Sequence, residues 1–172
     1  AAPGAEDLAL RCFEQCMESG SVVDGVISQS EAQAKDLWSY REGIAEALTP
    51  YTPYLYDTSV RISEVPAYLG ALDRLVSELY PDFEVVWLGH FGDGNLHMNI
   101  LKPADMDVEA FEQACAEVNA GVFELTREHR GSISAEHGIG ILKQPYLGYT
   151  RSAADIERMR GIKAVFDPHN IM

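Results

Sequence analysis

Gly89-His90-Phe91-Gly92-Asp93-Gly94-Asn95-Leu96-His97 decides the fold, together with its apolar flanks Phe83 to Leu88 and Met98 to Leu101. Two hydrophobic runs meet at Asp-Gly, the short-range signature of a tight hairpin with a primed turn. With Asp93 and Gly94 as the loop, Gly92 faces Asn95, Phe91 faces Leu96 and His90 faces His97. Cross-strand partners have Cβ atoms about 5 Å apart, so two imidazoles on one face have the spacing to share a metal ion. Strand alternation adds Leu88 and Asn99 to that face and sends Trp87, Gly89, Met98 and Ile100 to the other. A lone histidine pair is ordinarily a structural pair. Here the spacing matches a turn, and Gly89, Gly92 and Gly94 admit close approach of backbone or ligand, which points to a functional site.

A chain of 172 residues with 47% hydrophobic content can bury one sizeable core. Its net charge of −14 argues against nucleic acid and against anionic membrane surfaces, both of which need basic patches. No apolar run approaches a membrane-spanning length, and no signal peptide is visible. The three cysteines, Cys12, Cys16 and Cys115, form no metal or disulfide framework; Cys12 and Cys16 fall on a helical stripe as small core residues. A reducing, cytoplasmic compartment fits this usage. The start at Ala1 and the end at Asn170-Ile171-Met172 read as a piece of something longer.

In order along the chain, residues 5–18 carry a helical stripe through Ala9, Leu10, Phe13, Cys16 and Met17. Ser21 to Ser28 is a Val/Ile run expected as a strand. A second helix spans about Ser30 to Leu48, with Ala34, Leu37, Trp38, Ala45 and Leu48 on one face and Arg41 in the middle of it. An arginine there needs either an internal salt bridge, to Glu42 or a distant residue, or a bound anion.

Tyr54 to Ile62 alternates as a strand, with Leu55, Asp57, Ser59 and Arg61 on one face. Ser63 caps a helix packing through Val65, Leu69, Leu72, Leu75, Val76 and Leu79. After the hairpin, Asp105 to Arg130 is one long helix with a stripe at Val108, Phe111, Cys115, Val118, Val122 and Leu125; His129 is an end-of-helix cation and Gly131 the left-handed stop. Ser152 to Asp155 opens a last helix through Ile156, Met159 and Ile162. This pattern predicts an α+β fold: an antiparallel sheet with helices packed on it, ferredoxin-like elements, in a single-domain fragment.

Between the last two helices lies Ser132-Ile133-Ser134-Ala135-Glu136-His137-Gly138-Ile139-Gly140. Two glycines after an adjacent Glu and His indicate a bend that turns functional side chains inward. Glu136 suits a third, anionic ligand beside His90 and His97, and His137 suits a general base.

The motif from His90 to His97, followed by Ser134-Ala-Glu136-His137-Gly-x-Gly-x-x-Lys143, resembles the C-terminal domain of FAD-linked oxidases of the vanillyl-alcohol oxidase type. These are the D-lactate, D-2-hydroxyglutarate and glycolate dehydrogenases. Leu37-Trp38-x-x-Arg41-Glu42, Tyr56-Asp57-x-Ser59 and Asp167-Pro168-His-Asn-Ile are similar to further stretches of that domain, in the same order. The resemblance implies that residues 1–172 are part of a domain that covers the flavin and supplies the substrate site, while a separate FAD-binding domain of the same full-length chain holds FAD. It further implies a divalent metal, Zn or Mn, on His90, His97 and Glu136, and cofactor contacts from Asn95, His97 and Asn99. The substrate, a small 2-hydroxy acid, is then held by Arg41 and Asn99, with His137 as the catalytic base.

Two positions depart from the hydroxyglutarate pattern. Leu55 stands where those relatives have lysine, and Ala45 where they have a hydroxyl residue, which leaves a second substrate carboxylate short of partners. Arg61, on the expected Leu55 face, is a candidate replacement. Removing the flavin domain leaves the Leu88, Asn99 and His137 face open, so a homodimer through that face is an expectation. Two rival classes share the same residues: a metal-dependent hydrolase, and a non-catalytic assembly module.

Overall fold

The computed structural model describes residues 4–171. The chain divides into two compact units, Ala1–Ala47 and Leu48–Met172. The first holds α1 (Ala5–Glu18) and α2 (Glu31–Glu42), with α3 (Ile44–Leu48) starting at its end. Ser30 caps α2 through its side chain, which accepts from the Gln33 N–H at 3.2 Å. The expected strand over residues 21–28 is not formed; that run is exposed coil, with Val23 and Val26 92% and 76% exposed. A strand needs a partner edge for its backbone groups, and none is offered there. The helix expected from Ser30 to Leu48 is interrupted at Gly43, and none of α1, α2 or α3 carries a fully buried residue. Cys12 is accordingly exposed rather than a core residue.

The second unit is α+β. It runs β1 (Tyr54–Ser59), α4 (Val65–Leu79), β2 (Val85–Leu88), β3 (Asn95–Ile100), α5 (Val108–Glu128) and α6 (Ala153–Phe166). The sheet order is β1-β3-β2, antiparallel throughout. A βαββα succession in which β3 inserts between β1 and β2 is the first five-sixths of a ferredoxin-like βαββαβ unit. A strand after α5 is reduced to one bridge, Ser59 to Ser132, on the outer edge of β1. Gly131 makes that bridge possible, since a Cβ there would lie 2.3 Å from the Ser59 carbonyl oxygen. The left-handed residue ending α5 is Arg130, at φ 55°, and not Gly131.

Period-two alternation sorts the sheet into two faces. Tyr56, Thr58, Leu96, Met98 and Ile100 are buried on one, in a core with Tyr68, Leu72 and Val76 of α4 and Phe111, Cys115, Val118 and Val122 of α5. Each buried aromatic hydroxyl there has a partner: Tyr56 donates to the Cys115 carbonyl at 3.0 Å, and Tyr68 meets the Thr126 hydroxyl at 2.7 Å. Ser63 does not cap α4, because a 3-10 turn over Ile62–Glu64 intervenes and Glu64 takes that position. Val108 and Leu79, expected in the stripes, are exposed at helix ends. Of the expected α6 stripe, Ile156 is half-buried, while Met159 and Ile162 are 43% and 61% accessible.

Candidate metal centre on the open face of the sheet

The other face of the sheet carries Leu55, Asp57 and Ser59 of β1, Asn95, His97 and Asn99 of β3, and Val86 and Leu88 of β2. The register pairs Asp57 with His97, Leu55 with Asn99, Ser59 with Asn95, and Leu88 with His97. His90 and His97 are therefore not cross-strand partners. The register is displaced by two residues from a two-residue Asp-Gly turn, and residues 89–94 form the connection. Within it Phe91–Asp93 makes a 3-10 turn, and the His90 carbonyl accepts from both the Asp93 and Asn95 N–H groups at 3.0 and 3.1 Å. Gly94 follows at φ 84°, where a Cβ would fall 2.0 Å from the Val60 carbonyl oxygen. The site's local shape depends on that contact.

From this loop His90 still reaches the same place. Its Nδ1 lies 3.1 Å from Glu136 Oε1, and His97 Nε2 lies 3.5 Å from Glu136 Oε2. One donor atom each from His90, His97 and Glu136 falls within 4.8 Å of the other two. Donors about 2.0–2.2 Å from a shared ion stand about 3–3.5 Å apart at the usual angles, and the separations of Glu136 from His90 and His97 fall in that range. Two imidazoles and a carboxylate suit Zn or Mn on chemical grounds as well. Asn95 donates to Glu136 Oε1 at 2.8 Å and so orients the carboxylate.

Asp57 is the residue that sequence reasoning missed. It was placed on this face without a role, yet its side chain is 1% exposed and gathers the segment that carries Glu136 and His137. Oδ2 accepts from Ser134 Oγ (3.1 Å), and from the N–H groups of Ala135 (3.2 Å), Glu136 (3.2 Å) and His137 (2.9 Å). Lys143 Nζ stands 3.5 Å away and donates to the Asp57 carbonyl at 3.1 Å. Burial alone would raise the Asp57 pKa, but the His137 and Glu136 N–H groups and the Lys143 charge outweigh it and hold the carboxyl below its ordinary range. Burial pushes the Lys143 ammonium down, partly offset by Asp57. The available signal was an acidic residue inside a strand whose neighbours Tyr56 and Thr58 alternate into the core.

His137 is 53% exposed, its ring stacked on His97 with centroids 5.4 Å apart and its Nδ1 3.8 Å from Asp57 Oδ2. It lines a cavity of about 800 Å3 beside β1, with Leu55, Asn119, Lys143 and Tyr146. Asn99, expected on an open surface, is 6% exposed, and its amide donates to the Val86 carbonyl at 3.4 Å. Arg61 lies beyond the end of β1, exposed and paired with Glu64 at 3.6 Å, so it does not extend the Leu55 face. Arg41 belongs to the first unit, where its guanidinium sits 5.5 Å from the Trp38 ring centroid, and the helix face around it is exposed rather than buried. His129 is an α5 C-terminal residue paired with Glu64 at 3.1 Å. No helix among the described residues is long and apolar enough to cross a membrane.

The chain matches one family, whose relatives are named as D-2-hydroxyglutarate dehydrogenases and, in Schizosaccharomyces pombe, as a putative D-lactate dehydrogenase at 39% identity. The family described as "FAD linked oxidases, C-terminal domain" matches residues 3–172. The chain is 56% identical to a D-2-hydroxyglutarate dehydrogenase of Stutzerimonas stutzeri, over 95% of this chain and 35% of the relative. It is 55% identical to a protein of the same name from Xanthomonas citri pv. viticola, over 97% and 35%. A mitochondrial D-2-hydroxyglutarate dehydrogenase of Bos taurus is 39% identical over 99% of this chain and 30% of its own length. The chain thus spans about a third of the length of these curated relatives.

Proposed function

Because the chain belongs to the C-terminal-domain family of FAD-linked oxidases, we propose that it is the substrate-binding, metal-bearing part of an FAD-dependent D-2-hydroxy-acid dehydrogenase. The observation that carries this is the convergence of His90, His97 and Glu136 beside the exposed ring of His137. Family membership favours oxidation over hydrolysis, and a built donor set with Asp57 behind it favours chemistry over a purely structural module.

In this reading His90, His97 and Glu136 would hold Zn2+ or Mn2+, which would supply Lewis acidity to the substrate. FAD, held mainly by a domain of the same protein outside these residues, supplies the hydride acceptor. His137 takes the hydroxyl proton, its ring held by the stack on His97 and by the Asp57 carboxylate 3.8 Å from its Nδ1. Asn99 contributes an amide from the buried wall, while Asn95 holds Glu136 and, with His97 and Asn99, would border the flavin. Leu55 and Ala45 argue for a short or uncharged substituent. Most of these relatives are named for D-2-hydroxyglutarate and one for D-lactate, and we take D-2-hydroxyglutarate as the first substrate to test. The free thiols fit a reducing compartment.

The test uses the full-length flavoprotein under anaerobic conditions. D-2-hydroxyglutarate, and D-lactate as the comparison, should bleach the oxidised flavin absorbance. Prior removal of metal by a chelator should suppress bleaching, and added Zn2+ or Mn2+ should restore it. His137→Asn should slow the bleaching by about 10²–10⁴-fold. Bleaching by neither acid at any metal loading refutes the proposal.

A further inference from the structure

Two donor triplets overlap in this site and share His97: His90, His97 and Glu136 on one side, Asp57, His97 and His137 on the other. They use different ring nitrogens. His97 Nε2 faces Glu136, and Nδ1 faces Asp57 Oδ1 at 3.5 Å. His97 Nδ1 is also, among the described residues, the buried side-chain nitrogen left without a hydrogen-bond partner. A buried polar atom in that condition calls for an explanation.

The two oxygens of Asp57 explain it. Oδ2 is filled by Ser134 Oγ and the backbone N–H groups of Ala135, Glu136 and His137, with Lys143 alongside. Oδ1 receives only a shared contact from the Glu136 N–H at 3.2 Å, and it is the acceptor facing His97 Nδ1. A histidine that ligates through Nε2 must carry its proton on Nδ1, and a carboxylate behind that nitrogen fixes both tautomer and ring plane. A buried Asp57 whose Oδ2 is filled and whose Oδ1 faces His97 Nδ1 has little free capacity to serve as a ligand itself.

We propose that Asp57 is the positioning residue of the metal centre. It orients His97 from behind through Oδ1 and fastens the 134–137 segment through Oδ2, so one carboxylate places the His97 and Glu136 ligands and the His137 base without touching the ion. This rests on the metal reading above. It goes further in assigning metal affinity to a residue outside the donor set. Glu136 comes from a loop with no strand pairing of its own beyond the Ser59 to Ser132 bridge, so its placement depends on these backbone donors.

The experiment has two arms, both on the full-length protein. In the first, hydrogen exchange is followed for the 132–140 peptide of the unaltered, metal-free protein. Protected amides at Ala135, Glu136 and His137 are expected; free exchange across a segment whose side chains are half exposed overturns the proposal, whatever any variant does. In the second, Co2+ is titrated calorimetrically and by its visible d–d bands into the unaltered protein and into Asp57→Asn. The variant keeps the shape but loses the charge and turns an amide toward the N–H groups. A 10–100-fold weaker Co2+ affinity with an altered band shape is expected, with helical circular dichroism unchanged. Equal affinity and bands in both proteins overturn the Asp57 assignment while leaving the metal centre standing. Failure of the unaltered protein to bind Co2+ overturns the metal reading and this inference with it. Should Asp57→Asn not fold, the exchange arm decides.

Discussion

At the scale of single residues, the site depends on where a side chain is impossible. Gly94 sits at φ 84° with the space of a Cβ occupied 2.0 Å away by the Val60 carbonyl oxygen, while the Val60 N–H donates to the Gly94 carbonyl at 3.0 Å. That close approach ties the end of β1 to the start of β3, three residues before His97. Gly94→Ala must push the two backbones apart and strain its own φ. A loss of about 2–4 kcal/mol in stability is expected from urea unfolding, together with weakened metal binding. Gly92→Ala is the matched comparison, because nothing lies within 4 Å of a Cβ there. Equal stability of the two variants would show that the Val60 contact has no energetic weight. The Asp-Gly signal was correctly read as a turn. Its type was not, because Phe91–Asp93 curl into a 3-10 turn, and the His90 carbonyl accepts from the Asp93 N–H within it and the Asn95 N–H beyond it.

Elements tolerate such an error when parity survives it. A register displaced by two residues leaves every side chain of β3 on its original face, whereas a displacement by one would have sent His97 into the core. The face shared by Leu88, His97 and Asn99 was therefore legible, and the pairing of His97 with Leu88 in place of His90 was not. Helix ends show the same division between local and tertiary causes. The α6 start follows local chemistry: Ser152 Oγ accepts from the Asp155 N–H at 3.2 Å and donates to its carboxylate at 2.6 Å, and Arg158 adds a contact at 2.8 Å. The Ser152 hydroxyl, with Arg158, outweighs a small desolvation and holds the Asp155 carboxyl below its ordinary range. A depressed folded pKa means the cap's contribution is complete above the unfolded value near ~4 and is lost as pH falls through the lower, folded value. Protection factors of the first-turn amides of α6, each taken against the intrinsic exchange rate at the same pH, should fall below about pH 4, and Asp155→Asn should remove that acid dependence. An unchanged acid response in the variant would assign it to another carboxylate.

At the scale of the molecule, cohesion is uneven. The second unit carries the buried core of the sheet, α4 and α5, whereas α1, α2 and α3 have no fully buried residue. Local opening is cheapest where few apolar groups are buried and backbone is exposed. Thermolysin, which cuts before apolar residues, should therefore cleave first around Val22, Val23, Val26 and Ile27, all in exposed or half-exposed coil. The segment from β1 to α5 should persist as the last large fragment on a gel. First cuts inside α4 or β3 would contradict that ranking.

The sequence by itself determined the faces: alternation in β1 and β3, the α4 and α5 stripes, and the two motifs that supply His90, His97, Glu136 and His137. These are local properties, set by period and by residue type. The same local evidence misplaced the 21–28 run and most of the α6 stripe, because apolar character makes burial possible without supplying a partner surface. Only the tertiary structure decided that Leu88 stands opposite His97, that His90 approaches Glu136 from a loop, and that Asp57 joins β1 to residues far along the chain. Those facts depend on hydrogen bonds across long sequence separations, such as Asp57 with the His137 N–H at 2.9 Å. No periodicity encodes such a bond; it exists only once the chain returns past the Ser59 to Ser132 bridge and brings the 134–137 segment beside β1.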